Sequence, residues 1–299
     1  MYSQIDSNKR KTWALMLIFV FVISALGYVF NLWYGDTSYG ILIFAVIFSL
    51  LSATISFYSG DKIALATAGA KKIIKSDNPY VYRMVENLCI TAGLPMPKVH
   101  LIQDNAINAF ATGRDPEHAS IAITQGAIDQ LANEELEGVI AHELSHIKNY
   151  DIRLMMIVIV CIGIITLLAD WMIRAKLYGM GGKKSNDNNS GQLGAIIMIV
   201  GIVLAILSPL FARLIQFAIS RKREYLADAS GAMLTRYPEG LAKALEKIKL
   251  QNMPLKRVNK ATAHLYISSP WVGSKMAFKK AFATHPDIND RIAKLRNMA

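Results

Sequence analysis

Charged residues are scarce in this chain of 299 residues: Asp, Glu, Lys and Arg make up 18% of it, and 53% of it is hydrophobic. A soluble domain ordinarily has about 25% charged residues. With a mean hydropathy of +0.30, the chain is not expected to be soluble along its whole length. Part of it is predicted to lie in a lipid bilayer.

Cysteine is equally rare. Cys89 and Cys161 lie far apart, the second inside an apolar run, which excludes a disulfide-stapled domain and a thiolate zinc site and fits a reducing compartment. Basic stripes with interleaved aromatics are also missing, so the net charge of +11 does not indicate a nucleic-acid partner. Basic clusters beside apolar segments explain that charge, since they suit an anionic membrane surface.

Four apolar segments account for the missing charge: Trp13–Trp33, Thr37–Gly60, Leu154–Ala169 and Leu193–Ala212. A membrane-spanning helix needs about 20 residues, which the third segment reaches only by including Asp170. The first segment is too long for the apolar core of a signal peptide, and a second span follows at once. The sequence therefore predicts a multi-pass membrane protein with four hydrophobic helices.

Lysine and arginine beside these segments predict their orientation. Basic residues precede the first segment at 9–11, follow the second at 62–75 and follow the fourth at 221–223, whereas the short connection 34–39 has none. Both termini and the region between the second and third segments are therefore expected in the cytoplasm. A simple four-span topology would place the loop 172–193 outside, yet this loop contains basic residues. Either the loop departs from the charge rule, or the third and fourth segments form a hairpin that does not fully cross the membrane.

Outside the apolar segments, the pattern predicts helices and a small sheet. Alternating runs rich in Val, Ile and Phe predict three short strands. The strands are expected at Lys98–Ile102, Ala106–Thr112 and Ser120–Thr124, and helices at Ala66–Ile74, Tyr80–Ala92, Ala127–Ala132 and Asn133–Asn149. The fold class is therefore mainly α, with an α+β domain holding a three-stranded sheet. Its predicted parts are an anchor at 1–60, domain segments at 61–153 and 221–299, and a membrane hairpin at 154–220.

The run His142-Glu143-Leu144-Ser145-His146 is an HExxH motif on the last of these helices. Asn133 is expected to cap that helix, followed by acidic first-turn residues. On a helix, the two histidines lie one turn apart on one face, where they can hold one Zn²⁺ with Glu143 beside the open position. The alternative is an amphipathic surface helix with two incidental histidines.

A catalytic zinc normally has three protein ligands, and the third must come from elsewhere. Glu224 is the best candidate because Asp228 lies one helical turn away, where it can accept the free N–H of a ligating histidine. Glu224 could alternatively pair with the neighbouring basic residues. The candidates weighed were His100, His118, His264, His285, Asp151, Asp228 and Glu224.

Together these motifs resemble the HtpX-type membrane zinc metalloproteases, which are related to the CaaX-processing membrane endopeptidases. The resemblance rests on HExxH followed by Asn149 and Asp151, on a hydrophobic hairpin, and on the run 224–228, and it extends to His285-Pro286 and Arg291. It implies a zincin-like domain facing the cytoplasm of a bacterial inner membrane. The substrates it implies are misfolded membrane proteins and unfolded polypeptides, degraded in quality control and stress responses.

The resemblance also implies residue roles. One Zn²⁺ per chain is held by His142, His146 and Glu224; Glu143 is the general base for water. His285, supported by Arg291, stabilises the oxyanion. The supporting residues around the ligands are Asp228, Asn149 and Asp151, and the substrate-binding edge strand comprises Asn108, Ala109, Phe110 and Ala111.

Three other functions are less favoured. A catalytically silent zinc-binding scaffold would not need Glu143. An intramembrane protease would carry HExxH inside an apolar span, but Glu134, Glu137 and Lys148 flank this motif. A transporter would need charges within its spans, and only Asp170 lies in one.

Overall fold

Two long helices begin the fold of the computed structural model, which describes residues 2–34, 37–159, 161, 163–164, 201, 221–251, 253–255, 265–267 and 286–298. Helix α1 is Tyr2–Tyr34 and helix α2 is Gly40–Ala68. Both are long and apolar enough to cross a membrane, since an 18-residue stretch within Ile5–Leu32 has a mean hydropathy of 2.4 and one within α2 has 2.3. The first two predicted spans are therefore helical.

Helices α1 and α2 pack closely against each other. Gly27 of α1 lies so near α2 that a Cβ at this position would come within 2.3 Å of the Ala45 Cβ. Residues 151–159, here called α6, are also helical. Leu154 and Val158 of α6 pack with Leu15 of α1, so the third apolar segment begins against the first. Apart from residues 161, 163 and 164, the rest of that segment lies outside the described residues, and so does the fourth segment except residue 201.

The sheet has four strands, not the three that the sequence predicted. They are β1 (Lys71–Lys72), β2 (Lys98–Ile102), β3 (Ala109–Gly113) and β4 (Ala119–Thr124). Their order is β1-β2-β4-β3, with β2 and β4 parallel and the other two pairs antiparallel. Strand β3 therefore lies at an edge of the sheet.

The end of α2 and the start of β3 differ from prediction for local reasons. The helix expected at 66–74 ends at Ala68 because Gly69 adopts φ 67°, which a glycine tolerates, and Lys71 and Lys72 then pair with β2. Strand β3 begins at Ala109 rather than Ala106. Before it, side chains take the place of backbone partners in the sheet: Asp104 accepts the Ala106 N–H, and Thr124 Oγ1 accepts the Asn108 N–H.

The remaining described helices form the main core together with residues of the sheet. The HExxH helix α5 is capped differently from prediction: Asn133 is already helical, and the Glu135 carboxylate accepts the Ala132 N–H at 2.7 Å. The helices are α3 (Pro79–Ala92), α4 (Gln125–Gln130), α5 (Asn133–Lys148), α7 (Arg221–Thr235), α8 (Pro238–Leu250) and α9 (Ile288–Arg296).

Candidate metal centre

Helix α5 brings the two motif histidines together inside the protein. His142 and His146 are 1% and 5% exposed. Their Nε2 atoms are 3.2 Å apart. The helical spacing of four residues places both rings on one face, as the sequence predicted.

Glu224 of α7 completes the cluster. Its Oε2 lies 3.9 Å from His142 Nε2 and its Oε1 lies 3.6 Å from His146 Nε2. A tetrahedral zinc with ligands at about 2.0–2.1 Å separates ligand atoms by roughly 3.3–3.4 Å, and one atom from each residue lies within 4.8 Å of the others. Two imidazoles and a carboxylate are also a common catalytic zinc donor set, so these residues fit the ion.

Close packing of α7 on α5 makes this meeting possible. A Cβ at Gly231 would lie 3.0 Å from the His142 backbone nitrogen and 3.2 Å from its Cα. A larger residue would push the two helices apart and draw Glu224 away from the histidines. No motif in the sequence singles out Gly231, although a lone glycine inside a helix often marks such a contact.

Asp228 lies beside His142, and Arg291 binds Asp228. Asp228 Oδ1 is 2.9 Å from His142 Nδ1, in an electrostatic contact that lies off the direction of a hydrogen bond. The Arg291 guanidinium donates to both Asp228 oxygens, from Nε at 2.8 Å and Nη2 at 2.7 Å. Burial alone would raise the pKa of Asp228, but the charge of Arg291 outweighs burial and lowers it to about 2. Asp228 is therefore a permanent carboxylate beside His142.

Asp151 is the corresponding carboxylate for His146, and here the contact is a hydrogen bond. Its Oδ2 lies 3.0 Å from His146 Nδ1, and Asp151 is 1% exposed. Each histidine thus has a buried carboxylate on the nitrogen that faces away from Glu224, which fixes which ring nitrogen is available to a metal.

Glu143 lies beside the cluster but outside the ligand set. It is 2% exposed. Burial raises its pKa to about 7, and the backbone N–H of Ala111 in β3 donates to its carboxylate. A carboxylate whose pKa is near neutral suits a group that must accept and return a proton at neutral pH.

Sequence comparison matches the profile of peptidase family M48 to residues 75–299. The chain belongs to peptidase family M48. It is 44% identical to a Protease HtpX homolog of Dictyoglomus turgidum over 99% of this chain and 94% of that protein. It is 41% identical to a Protease HtpX homolog of Streptococcus uberis over 100% of both chains. The predicted family is confirmed, and the protein is a membrane metalloprotease.

A solved structure supports the same fold. The crystal structure of Ste24p from S. mikatae superposes with a TM-score of 0.53, at 16% identity, over 99% of this chain and 67% of that one. At this identity the similarity concerns the fold alone. The M48 fold thus combines the apolar helices with the small sheet and the HExxH helix.

The other residues predicted for this M48 site are distributed around it. Asn108 precedes β3 and is buried, Ala109–Ala111 lie in β3, and the Phe110 ring packs edge-on against Tyr266 at 5.1 Å. Asn149 ends α5, and its side-chain amide has no hydrogen-bond partner within the part of the chain described. His285 lies outside the described residues, as does His264.

Two contacts of the M48 site were not predicted from the sequence. Asn8 of α1 donates to Asp151 Oδ1 at 2.7 Å. Arg223, the residue before Glu224, has its Nη1 3.6 Å from the same oxygen. Neither residue belongs to a motif: Asn8 precedes the first apolar segment, and Arg223 was interpreted as part of a basic cluster near the membrane.

Zinc affinity of the metal-free protein is expected to rise with pH up to about 9. Burial alone would lower the pKa of His146, but its hydrogen bond to Asp151 and the charge of Glu224 raise it to about 9. A metal must therefore displace a proton from His146, whereas the pKa of His142 is lowered, chiefly by burial. Affinity should gain up to about tenfold per pH unit, with about one proton released in calorimetry. Affinity that stays constant between neutral pH and pH 9 would contradict this assignment.

Proposed function

We propose that the chain is a zinc-dependent endopeptidase of a bacterial inner membrane that cleaves misfolded membrane proteins and unfolded polypeptides at the cytoplasmic face. The observation that carries the proposal is the buried cluster of His142, His146 and Glu224 with Glu143 beside it. A structural zinc site does not need an adjacent buried carboxylate outside the ligand set. A peptidase does.

Each residue of the site has its own role in the proposed reaction. When bound, Zn²⁺ supplies Lewis acidity toward the scissile carbonyl and lowers the pKa of water. Glu143 takes the proton from the attacking water and delivers it to the leaving amine. Asp228 and Asp151 hold the imidazoles of His142 and His146 in place.

The edge of β3 suits an extended substrate. The Ala111 N–H points away from β4 toward Glu143, so a peptide added along this edge would pass the general base. The Ala109 carbonyl on the same edge accepts the Ile267 N–H at 3.1 Å. Among the described residues, the unpaired length of the edge therefore runs from Ala111 toward Gly113. Because strand addition reads the backbone, unfolded segments of many sequences are suitable substrates. His285 remains our proposed oxyanion donor, by resemblance.

The position of the site relative to α1 supports a membrane-surface location. Asn8, which touches Asp151, lies five residues before Trp13, where the charge-free run begins; this is about 8 Å along a helix. Lys9 stacks over the Tyr150 ring at 4.6 Å, and Arg153 does so at 5.0 Å. Basic and aromatic residues at this level match a membrane interface, and the excess of lysine favours the cytoplasmic side.

Metal removal tests the proposal. The full chain, purified in detergent, is expected to contain one zinc and to cleave casein, to lose cleavage with chelator, and to recover it with added Zn²⁺. Protein that binds zinc but leaves casein and other unfolded polypeptides intact would contradict the proposal and support the silent scaffold. Cleavage that persists after complete metal removal would contradict the metal's role.

A further inference from the structure

We infer that Asn8, on the first membrane helix, is a positioning residue for the metal centre: it holds Asp151 so that the Asp151 carboxylate fixes the His146 imidazole. The inference rests on the proposed zinc site and extends that site into α1. It gives the N-terminal helix a role in metal binding as well as in anchoring.

Asn8 and His146 bind opposite oxygens of one carboxylate. Asn8 Nδ2 donates to Asp151 Oδ1 at 2.7 Å and to the Asn149 carbonyl at 2.9 Å. Asp151 Oδ2 is the oxygen that lies 3.0 Å from His146 Nδ1. With Asn8 on one oxygen, the carboxylate cannot rotate without losing a hydrogen bond, so its other oxygen stays on the imidazole.

Arg223 explains why such a restraint is needed. Its Nη1 lies 3.6 Å from Asp151 Oδ1 and 3.4 Å from Asn8 Oδ1. Among the described residues, the Asn8 amide is the only hydrogen-bond donor to Asp151 Oδ1, so without it the carboxylate would be drawn further toward Arg223 and away from His146. The Asn8 side chain thus joins α1, the segment after α5, and the start of α7 beside Glu224.

Packing alone does not account for an asparagine at this position. Asn8 is 1% exposed, and burying an amide costs free energy unless its polar atoms are satisfied. Here both ends of the amide have partners. A leucine would fill a similar volume and suit an apolar helix, so the donor at Asp151 is the property that distinguishes asparagine.

Zinc retention in the full chain tests the inference. Asn8→Leu is expected to weaken zinc binding about tenfold in chelator competition, the low end of the range for residues that support metal ligands. The cobalt-substituted protein should show altered visible bands, since His146 is less firmly oriented. Thr12→Val is the matched control: Thr12 is equally buried on α1, but among the described residues its hydroxyl bonds the Asn8 carbonyl alone, at 2.8 Å, so wild-type affinity is expected.

A double-mutant cycle shows whether Asn8 acts through Asp151. In the Asp151→Asn background, Asn8→Leu should cause little further loss of zinc affinity. If Asn8→Leu lowers the unfolding temperature, Asn8→Asp, which keeps the size, removes the donor and adds a negative charge beside Asp151, should give at least the same loss of affinity. Wild-type affinity in the Asn8 variants, additive losses in the cycle, or an equal loss in Thr12→Val would each overturn the inference. Zinc binding is measured without cleavage, so an inactive wild-type protein would overturn the proposed function alone.

Discussion

Glu143→Gln is expected to lower kcat for peptide cleavage by about 10²–10⁴-fold while leaving the zinc content at the wild-type level. Glutamine has the same shape and its carbonyl can still accept the Ala111 N–H, but it cannot take a proton. Glu143 is not among the three residues whose ligand atoms converge, so the metal should stay. The measurement is kcat for a peptide substrate together with metal content on the same detergent-purified protein.

Two variants of neighbouring residues make this result specific. Ser145→Ala changes the same buried turn of α5, but within the part of the chain that the structure describes the Ser145 hydroxyl bonds the Ala141 carbonyl alone, at 2.9 Å, so kcat should stay near wild type. Glu224→Ala removes a proposed ligand and should lose both metal and activity. If Glu143→Gln cleaves at the wild-type rate, Glu143 is not the base; if Glu224→Ala keeps its zinc, the third ligand lies elsewhere.

The ligand cluster was predictable because it depends on local periodicity. His142 and His146 must share a face of any helix that contains them, and the same applies to Glu224 and Asp228. That the two helices meet could be predicted for two reasons. A zinc-binding histidine pair requires a third ligand, and Glu224 was the best acidic candidate. The structure places these four side chains as expected.

What could not be predicted depends on contacts between distant segments. Asn8 and Asp151 are 143 residues apart in the sequence, and no pattern links them. Strand β1 was missed because a two-residue strand has no periodicity of its own; it exists because β2 offers an edge. Likewise, Asn133 resembles a helix cap, but it is already helical and accepts the Tyr80 hydroxyl at 3.1 Å, while the Glu135 carboxylate accepts the Ala132 N–H at the start of the helix.

Arg291 has described neighbours that the resemblance does not name. The resemblance makes it a support for His285, which lies outside the described residues. Among the described residues, its guanidinium bonds Asp228, donates from Nη1 to the Ile267 carbonyl at 3.0 Å and lies 3.8 Å from Glu224 Oε2. It thus faces the carboxylates on both sides of His142, Asp228 and Glu224, and its positive charge offsets the buried carboxylates of the metal-free centre.

Arg291→Met is therefore expected to reduce the free energy of unfolding of the metal-free protein by about 3–5 kcal/mol, because it leaves buried carboxylates without a counter-charge. Arg296→Met, on the same helix, is the control. Arg296 bonds Glu239 at 3.1 Å and Glu246 at 2.9 Å, but its side chain is 45% exposed, so its loss should cost under about 1 kcal/mol. Equal effects of the two substitutions in denaturant unfolding would contradict the assigned difference.

The cause of the Arg291 effect can be separated from lost packing. If the cost comes from the stranded charge, adding Asp228→Asn to Arg291→Met should restore part of the stability, since the double variant has one fewer buried charge. Zinc affinity should not recover with it, because an amide in place of Asp228 cannot hold the His142 ring as a carboxylate does. Stability losses that simply add would mean that Arg291 acts by filling space. Stability and zinc binding that recover together would mean that Asp228 does not orient His142.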